Sequence, residues 1–239
     1  MAVEVTFSTK VRNKIRNIFF SCYFFCRYNS HYTAYRTFRT FTMIPMRSYV
    51  KNLRLASKFK DVPGCIVECG TWRGGMIAGI SRTFENQREC FLFDSFEGLP
   101  AAQAIDGDAA IGWQQDVSSP YYYDNCKAEV EFAHKAMELA KSKKHQIVKG
   151  WFNETLPSFD RTQKIALLRL DGDWYESTMT CLENLYDSVE EGGLIIMDDY
   201  YHWTGCARAV HDFLSKRGLA ERIYQFDNEL CYLVKQSHS

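Results

Sequence analysis

The sequence has no net charge, no C-x-x-C pair, no G-x-G-x-x-G fingerprint, no internal repeat and no apolar run long enough to span a bilayer. Each absence removes a class of protein. Lys+Arg and Asp+Glu both number 29 in 239 residues, so no overall basic field exists to hold a polyanion, and nucleic acid is not expected as a partner. The nine cysteines lack metal-ligand spacing, and several sit inside apolar strand-like runs, which fits buried thiols in a reducing compartment better than a disulfide framework or a zinc site. "IFFSCYFFC", residues 18–26, is the longest apolar stretch near the start. It falls well short of the ~20 residues a spanning helix needs, and no small-residue cleavage site follows it. A cytoplasmic location is expected.

The charge that is present is unevenly spread. Residues 1–60 carry twelve Lys or Arg against the single acid Glu4, leaving the rest of the chain net acidic. Residues 1–41 read as a basic aromatic arm. Its segment 10–28 suits a peripheral contact with a membrane surface, and the plainer alternative is an amphipathic helix packed on the domain or on a second copy in a homodimer.

From Pro63 onward, strand-like and helix-like segments alternate. "CIVECG" (65–70), "CFLFDS" (90–95), "QIVKGW" (146–151), "KIALLRLDG" (164–172) and "GGLIIMDD" (192–199) are short apolar runs ending in Gly or polar residues, as buried parallel strands do. Helical periodicity marks 125–141, 178–189 and 207–216. Residues 222–235 read as two strands folded about Asp227-Asn228, an antiparallel hairpin finishing the sheet. The expected fold is a doubly wound α/β domain with right-handed crossovers, spanning 42–239, and the stretch 99–125 reads as a loop or lid inserted over its site.

Ligands of open parallel sheets bind outside the carboxyl ends of the strands, so the strand-terminal residues belong together. The first run ends in "VECGTWRGG", placing Glu68, Gly70 and Gly74-Gly75 where a helix should begin; Asp94 ends the second, at the spacing expected of an acid that binds ribose hydroxyls. Glu68 favours a cationic ligand over a pyrophosphate, which tilts the reading toward a methyl sulfonium, S-adenosylmethionine, and away from NAD. The alternative, in which Glu68 caps and the glycines only turn the chain, stays open at this point.

Two further runs end in paired acids, Asp171 with Asp173 and Asp198 with Asp199. Three carboxylates converging in a partly dry cleft need a compensating cation or protons, and a hard ion such as Mg²⁺ takes oxygen ligands of this kind. A bound cation can also lower the pKa of an acceptor hydroxyl, whose proton a nearby base then removes. His202, with a reference pKa of about 6.5, is one candidate for that base. The competing reading makes the aspartates caps or amide acceptors. Tyr175, Tyr200, Tyr201 and Trp203 are candidates for an acceptor pocket.

"PGCIVECGTWRGG", "FLFDSFEGLP", "VKGWFNETLP", "LRLDGDWYEST" and "GGLIIMDDYYHWTGCARAVHDF" together resemble, in order and spacing, the macrocin O-methyltransferase family of antibiotic-sugar methyltransferases. The resemblance runs from about Thr42 to the final hairpin. It implies a class I methyltransferase (Rossmann-like) fold with a mostly parallel seven-stranded sheet, S-adenosylmethionine and Mg²⁺ as cofactors, and a hydroxylated small-molecule acceptor, most often glycosyl. By motif, Glu68 and Gly70, with Thr71, would line the methionine part of the cofactor. Asp94 would hold the ribose beside Ser95 and Phe96, and Gly150 and Trp151 would lie by the adenine. Asp171, Asp198 and Asp199 would bind the metal. Asp173 matches the position of the family's proposed base, ahead of His202. "TMIPMRSY" (42–49) would form part of the wall over the cofactor. Two other functions remain readable: a nicotinamide-dependent oxidoreductase, and a non-catalytic methyltransferase-like domain that binds a membrane or partner through its arm.

Overall fold

The apolar runs form the strands of one sheet: those in its middle are buried on both faces between helices, and the run at its edge, His145–Lys149, is only partly buried. In the computed structural model, which describes residues 29–237, these strands are β1 (Cys65–Cys69), β2 (Cys90–Asp94), β3 (His145–Lys149), β4 (Ile165–Leu170) and β5 (Val189–Met197). β6 (Tyr224–Phe226) and β7 (Leu230–Val234) complete it. The segment 10–28, expected to touch a membrane, lies outside the described residues. The order is β3-β2-β1-β4-β5-β7-β6, with β1 to β5 mutually parallel and β7 antiparallel to both β5 and β6. The C-terminal hairpin turns at Asp227 and Asn228, both at positive φ as a tight turn requires. It inserts β7 next to β5, so the strand at the rim is β6.

Helices cover both faces. On one side, α1 (Asn29–Phe38), α2 (Met46–Ala56), α3 (Gly75–Thr83) and α5 (Val130–Ala140) bury Phe38, Leu53, Ile77 and Met137 against Ile66, Leu92 and Leu167. On the other, α6 (Phe152–Thr155), α7 (Tyr175–Leu185) and α8 (Thr204–Lys216) accompany Leu182, Leu185 and Phe213 packed on Val67, Leu168 and Ile195. Alternate residues along β1 and β4 thus feed opposite cores, as the period of a strand demands. α1 lies within the stretch set apart in the sequence as an arm, yet it buries Ala34 and Phe38 in the common core. All seven described cysteines are free, most of them buried. Among the described residues no helix is long and apolar enough to cross a membrane.

The insertion 99–125 carries a helix that the sequence pattern did not mark, α4 (Asp108–Gln115). Its two ends meet: Leu99 N donates to Asn125 O at 3.0 Å, and Asn125 Nδ2 returns a bond to Leu99 O at 2.8 Å. Asp106 is buried and ties the insertion to the sheet side, one oxygen accepting from Tyr175 N at 2.7 Å and the other from Gln103 N at 2.8 Å. The first bond satisfies a free amide at the start of α7. A side chain at Gly205 would place its Cβ 2.2 Å from Asp106 Oδ1, so this docking needs glycine at the start of α8.

Candidate active site

Register places the site. Continuing the ladders by one residue, Gly70 N donates to Phe93 O, Asp171 N to Cys69 O and Asp198 N to Leu170 O, so the carboxyl ends of β1, β4 and β5 finish level. A cavity of about 870 Å³ opens over this row, within the size range of small-molecule sites. Gly70, Asp94, Ser95, Trp151, Asp171, Asp173, Asp198, Asp199 and His202 all border it, so the structure brings most of the site residues read from sequence to one place. Met43, Ile44, Pro45 and Ser48, from the segment expected to wall the cofactor, border it as well.

Backbone geometry dominates the β1–β2 side. Gly70 has φ +85°, and a Cβ there would fall 1.8 Å from Asp171 O, so no other residue fits between the strands. Asp94 clamps the loop that follows: Oδ2 accepts from Thr71 N at 2.8 Å and Trp72 N at 2.7 Å, while Oδ1 accepts from Phe96 N at 2.6 Å. Burial pushes this carboxyl above its ordinary pKa, against the pull of those three amides. The clamp argues against a dinucleotide site, because the amides that would receive a pyrophosphate are already given to a carboxylate.

Glu68 departs from expectation. It is 1% exposed and does not border the cavity, since Oε2 accepts from Thr71 Oγ1 at 2.6 Å and Oε1 meets Arg169 Nη1 at 3.1 Å. The direct contact with a cationic ligand expected of it is therefore corrected to a contact with the protein's own guanidinium. Thr71 and Phe96 are likewise buried behind the wall, and Gly150 does not border the cavity, although its neighbour Trp151 does.

Charge dominates the β4–β5 side. One oxygen from each of Asp171, Asp198 and Asp199 lies within 4.8 Å of the others. The all-carboxylate donor set suits a hard divalent ion such as Mg²⁺ better than zinc. Arg169, fully buried in β4, was missed in the sequence because it looks like a lapse in an apolar run. Its guanidinium lies 2.7 Å from Asp171 and 2.7 Å from Asp198, whereas Asp199 Oδ2 accepts from Asp173 N at 3.1 Å. One guanidinium against Glu68 and three aspartates leaves a large negative excess. Burial first, then mutual repulsion, holds Asp171 and Asp199 well above the ordinary carboxylate range, with Arg169 opposing this at Asp171.

Asp173 sits at φ +59°, a left-handed conformation that an aspartate adopts more readily than most residues. Trp203 Nε1 donates to its Oδ1 at 2.8 Å. Burial and the Asp198 charge raise the Asp173 carboxyl to about 7, even though the Trp203 bond pulls the other way. A cation among the neighbouring acids would bring it down. His202 is exposed at the cavity mouth, three residues beyond Asp199, where its N donates to Asp199 O at 2.9 Å.

The aromatic wall differs from the one read in sequence. Trp203 borders the cavity, joined by Trp113 of the insertion; the two ring centroids are 6.1 Å apart, and Trp174 lies edge-on to both. Tyr121 and Tyr123 extend this wall toward solvent. Tyr175, Tyr200 and Tyr201 do not border it. Tyr175 bonds Asp212 and Tyr200 bonds His211, while Tyr201 packs edge-on against Tyr200. Their positions beside the strand ends were legible, but the outward direction of their side chains was not.

The strand order with its inserted antiparallel β7, and the row of acids at the strand tips, define a class I methyltransferase fold. The macrocin-O-methyltransferase (TylF) family model matches residues 36–235, and the chain belongs to that family. It is 34% identical over 183 residues to the 8-demethyl-8-(2,3-dimethoxy-alpha-L-rhamnosyl)-tetracenomycin-C 4'-O-methyltransferase of Streptomyces olivaceus, covering 70% of this chain and 64% of that protein. To the demethyldecarbamoylnovobiocin O-methyltransferase of Streptomyces niveus it is 33% identical over 178 residues, covering 72% and 66%. The matches thus span slightly less than two thirds of these two relatives. The solved O-methyltransferase NovP superposes with a TM-score of 0.69 at 28% identity, covering 82% of this chain and 83% of NovP.

Proposed function

We propose that the protein is an S-adenosylmethionine-dependent, Mg²⁺-assisted O-methyltransferase acting on a hydroxyl of a sugar or a related vicinal-diol acceptor. The observation that carries this reading is the meeting of Asp171, Asp198 and Asp199 oxygens within 4.8 Å on the wall of the same cavity that Gly70 and Asp94 border. The relatives support it, since one is named for a reaction on a rhamnosyl tetracenomycin. When bound, S-adenosylmethionine supplies an electrophilic methyl group, and Mg²⁺ lowers the pKa of a hydroxyl oxygen.

The chain's own residues then divide the work. Gly70, Asp94, Ser95 and Trp151 bind and orient the methyl donor. Asp171, Asp198 and Asp199 hold the cation. Asp173, fixed by Trp203, takes the acceptor's proton on a carboxylate oxygen, and His202 is the second candidate for that role. Trp113 and Trp203 exclude water and offer apolar faces to a sugar ring. Membrane contact through residues 10–28 and a homodimer remain expectations of the same reading.

The test uses purified protein, S-adenosylmethionine and a panel of glycosides bearing adjacent hydroxyls. Methyl transfer should disappear on chelation and return with Mg²⁺. Transfer indifferent to chelation removes the metal from the proposal, and tight NAD binding without S-adenosylmethionine binding overturns the whole reading.

A further inference from the structure

A charged side chain in the middle of a strand buried on both faces is expensive unless neighbours compensate it. β4 holds Arg169 there, at 0% exposure, between Leu168 and Leu170. Its guanidinium reaches carboxylates from three adjacent strands: Glu68 of β1 at 3.1 Å, Asp171 just beyond β4 at 2.7 Å, and Asp198 just beyond β5 at 2.7 Å. Nε makes no hydrogen bond, and Nη2 meets Asp198 as an ion pair without hydrogen-bond geometry. The group is therefore held by charge more than by directional bonding. It does not border the cavity, whereas Asp171 and Asp198 do.

Two of the three acids read as cation ligands thus meet a guanidinium from within the sheet and face the cavity on their other side. We propose that Arg169 is a positioning residue that stands in for the divalent cation: it holds Asp171 and Asp198 together while the ion is absent and opposes the ion's charge when it is bound. This rests on the reading of Asp171, Asp198 and Asp199 as Mg²⁺ ligands. Removing Arg169 should then have opposite effects on two quantities. Without the ion the fold loses the one guanidinium that, among the described residues, meets Glu68, Asp171 and Asp198, while a bound ion would lose a nearby like charge and gain less-compensated ligands. A residue that merely fills the core would lower stability without improving the response to metal.

The experiment measures thermal midpoints with and without Mg²⁺, and the Mg²⁺ dissociation constant by calorimetry, for wild type, Arg169→Met and Arg169→Lys. Without added metal, Arg169→Met should melt roughly 10 °C below wild type. Its Mg²⁺-induced rise should exceed the wild-type rise, with a dissociation constant lower by about tenfold. Arg169→Lys keeps the charge and should respond to Mg²⁺ nearly as wild type does. An Arg169→Met protein with an unchanged or weaker Mg²⁺ response, or one that stays unfolded even in Mg²⁺, overturns the proposal; so does a lysine variant that behaves like the methionine variant. Wild-type protein that binds no Mg²⁺ refutes instead the reading of the three aspartates on which the proposal rests.

Discussion

The two halves of the cavity are built by different physics. At the β1–β2 end, position is set by covalent geometry and main-chain hydrogen bonds: Gly70 fits where no side chain can, and Asp94 gathers three amides. At the β4–β5 end, position is set by ions, with Arg169 drawing Asp171 and Asp198 together while the acids repel one another. A half held by short main-chain hydrogen bonds is less sensitive to salt than one held by ion pairs. One held by charge depends on what cation is present. On the proposed function, the methyl-donor side would stay constant while the acceptor side responds to the cation.

The sharpest way to break this contrast is Gly70→Ala. The added carbon would lie 1.8 Å from a backbone oxygen at a positive φ, so a destabilisation of about 3 kcal/mol or more is expected, read as loss of soluble protein or a collapsed melting midpoint. Tolerance of alanine here would mean that the strand spacing is looser than described. Next in size is Asp199→Ala. As a ligand of the proposed cation, Asp199 should be worth on the order of a hundredfold in kcat, while S-adenosylmethionine affinity, measured calorimetrically, stays within about twofold. A parallel fall in cofactor affinity would show that the two halves are not separable.

Asp94→Asn probes the other half. Asparagine keeps one acceptor oxygen and presents an NH₂ to amides that need acceptors, so about 1–3 kcal/mol of stability and roughly tenfold in cofactor affinity should be lost, with Mg²⁺ binding unchanged. The smallest effect concerns a third wall, where Glu229 borders the cavity and accepts from Ser48 and Lys51 of α2. Burial raises the Glu229 carboxyl, but Lys51 and Ser48 outweigh it and hold the pKa below its ordinary 4.5. A depressed carboxylate contributes stability above its unfolded pKa and loses it as pH falls through the folded value. The midpoint of wild type should thus drop faster than that of Glu229→Gln as pH is lowered below about 4.5. Parallel curves would remove this anchor from the account.

The sheet was legible because strands buried on both faces write themselves as contiguous apolar runs; β1 to β4 fall on or within about a residue of theirs, whereas β5 begins at Val189, three residues before Gly192 and at the end of the stretch read as helix. The acids at the tips were legible for the same reason: a strand has to end before Asp171 or Asp198 can appear. Arg169 was not, since a lone charge in "IALLRL" has no periodic signature; its one signal is that it stands in a run buried on both faces, two residues before an acid. α4 was hidden because "DAAIGWQQ" buries only Ala110 and shows no apolar stripe. The direction of Glu68 was unreadable in principle, because a strand's alternation says which face a side chain takes but not whether a partner 101 residues away has already claimed it.

The insertion closes on a single stem, where Leu99 and Asn125 clasp each other, and meets the α7–α8 side through Asp106, the Pro100 carbonyl and the Trp113 ring, which packs on Trp174 and Trp203. A segment attached in this way behaves like a cassette. Its tip can be rewritten or lengthened without disturbing a rung of the sheet, provided the clasp, the Asp106–Gly205 fit and the Trp113 packing on Trp174 and Trp203 are kept. On the proposed function, new acceptor preferences would then arise by changing one surface loop, at little cost to folding.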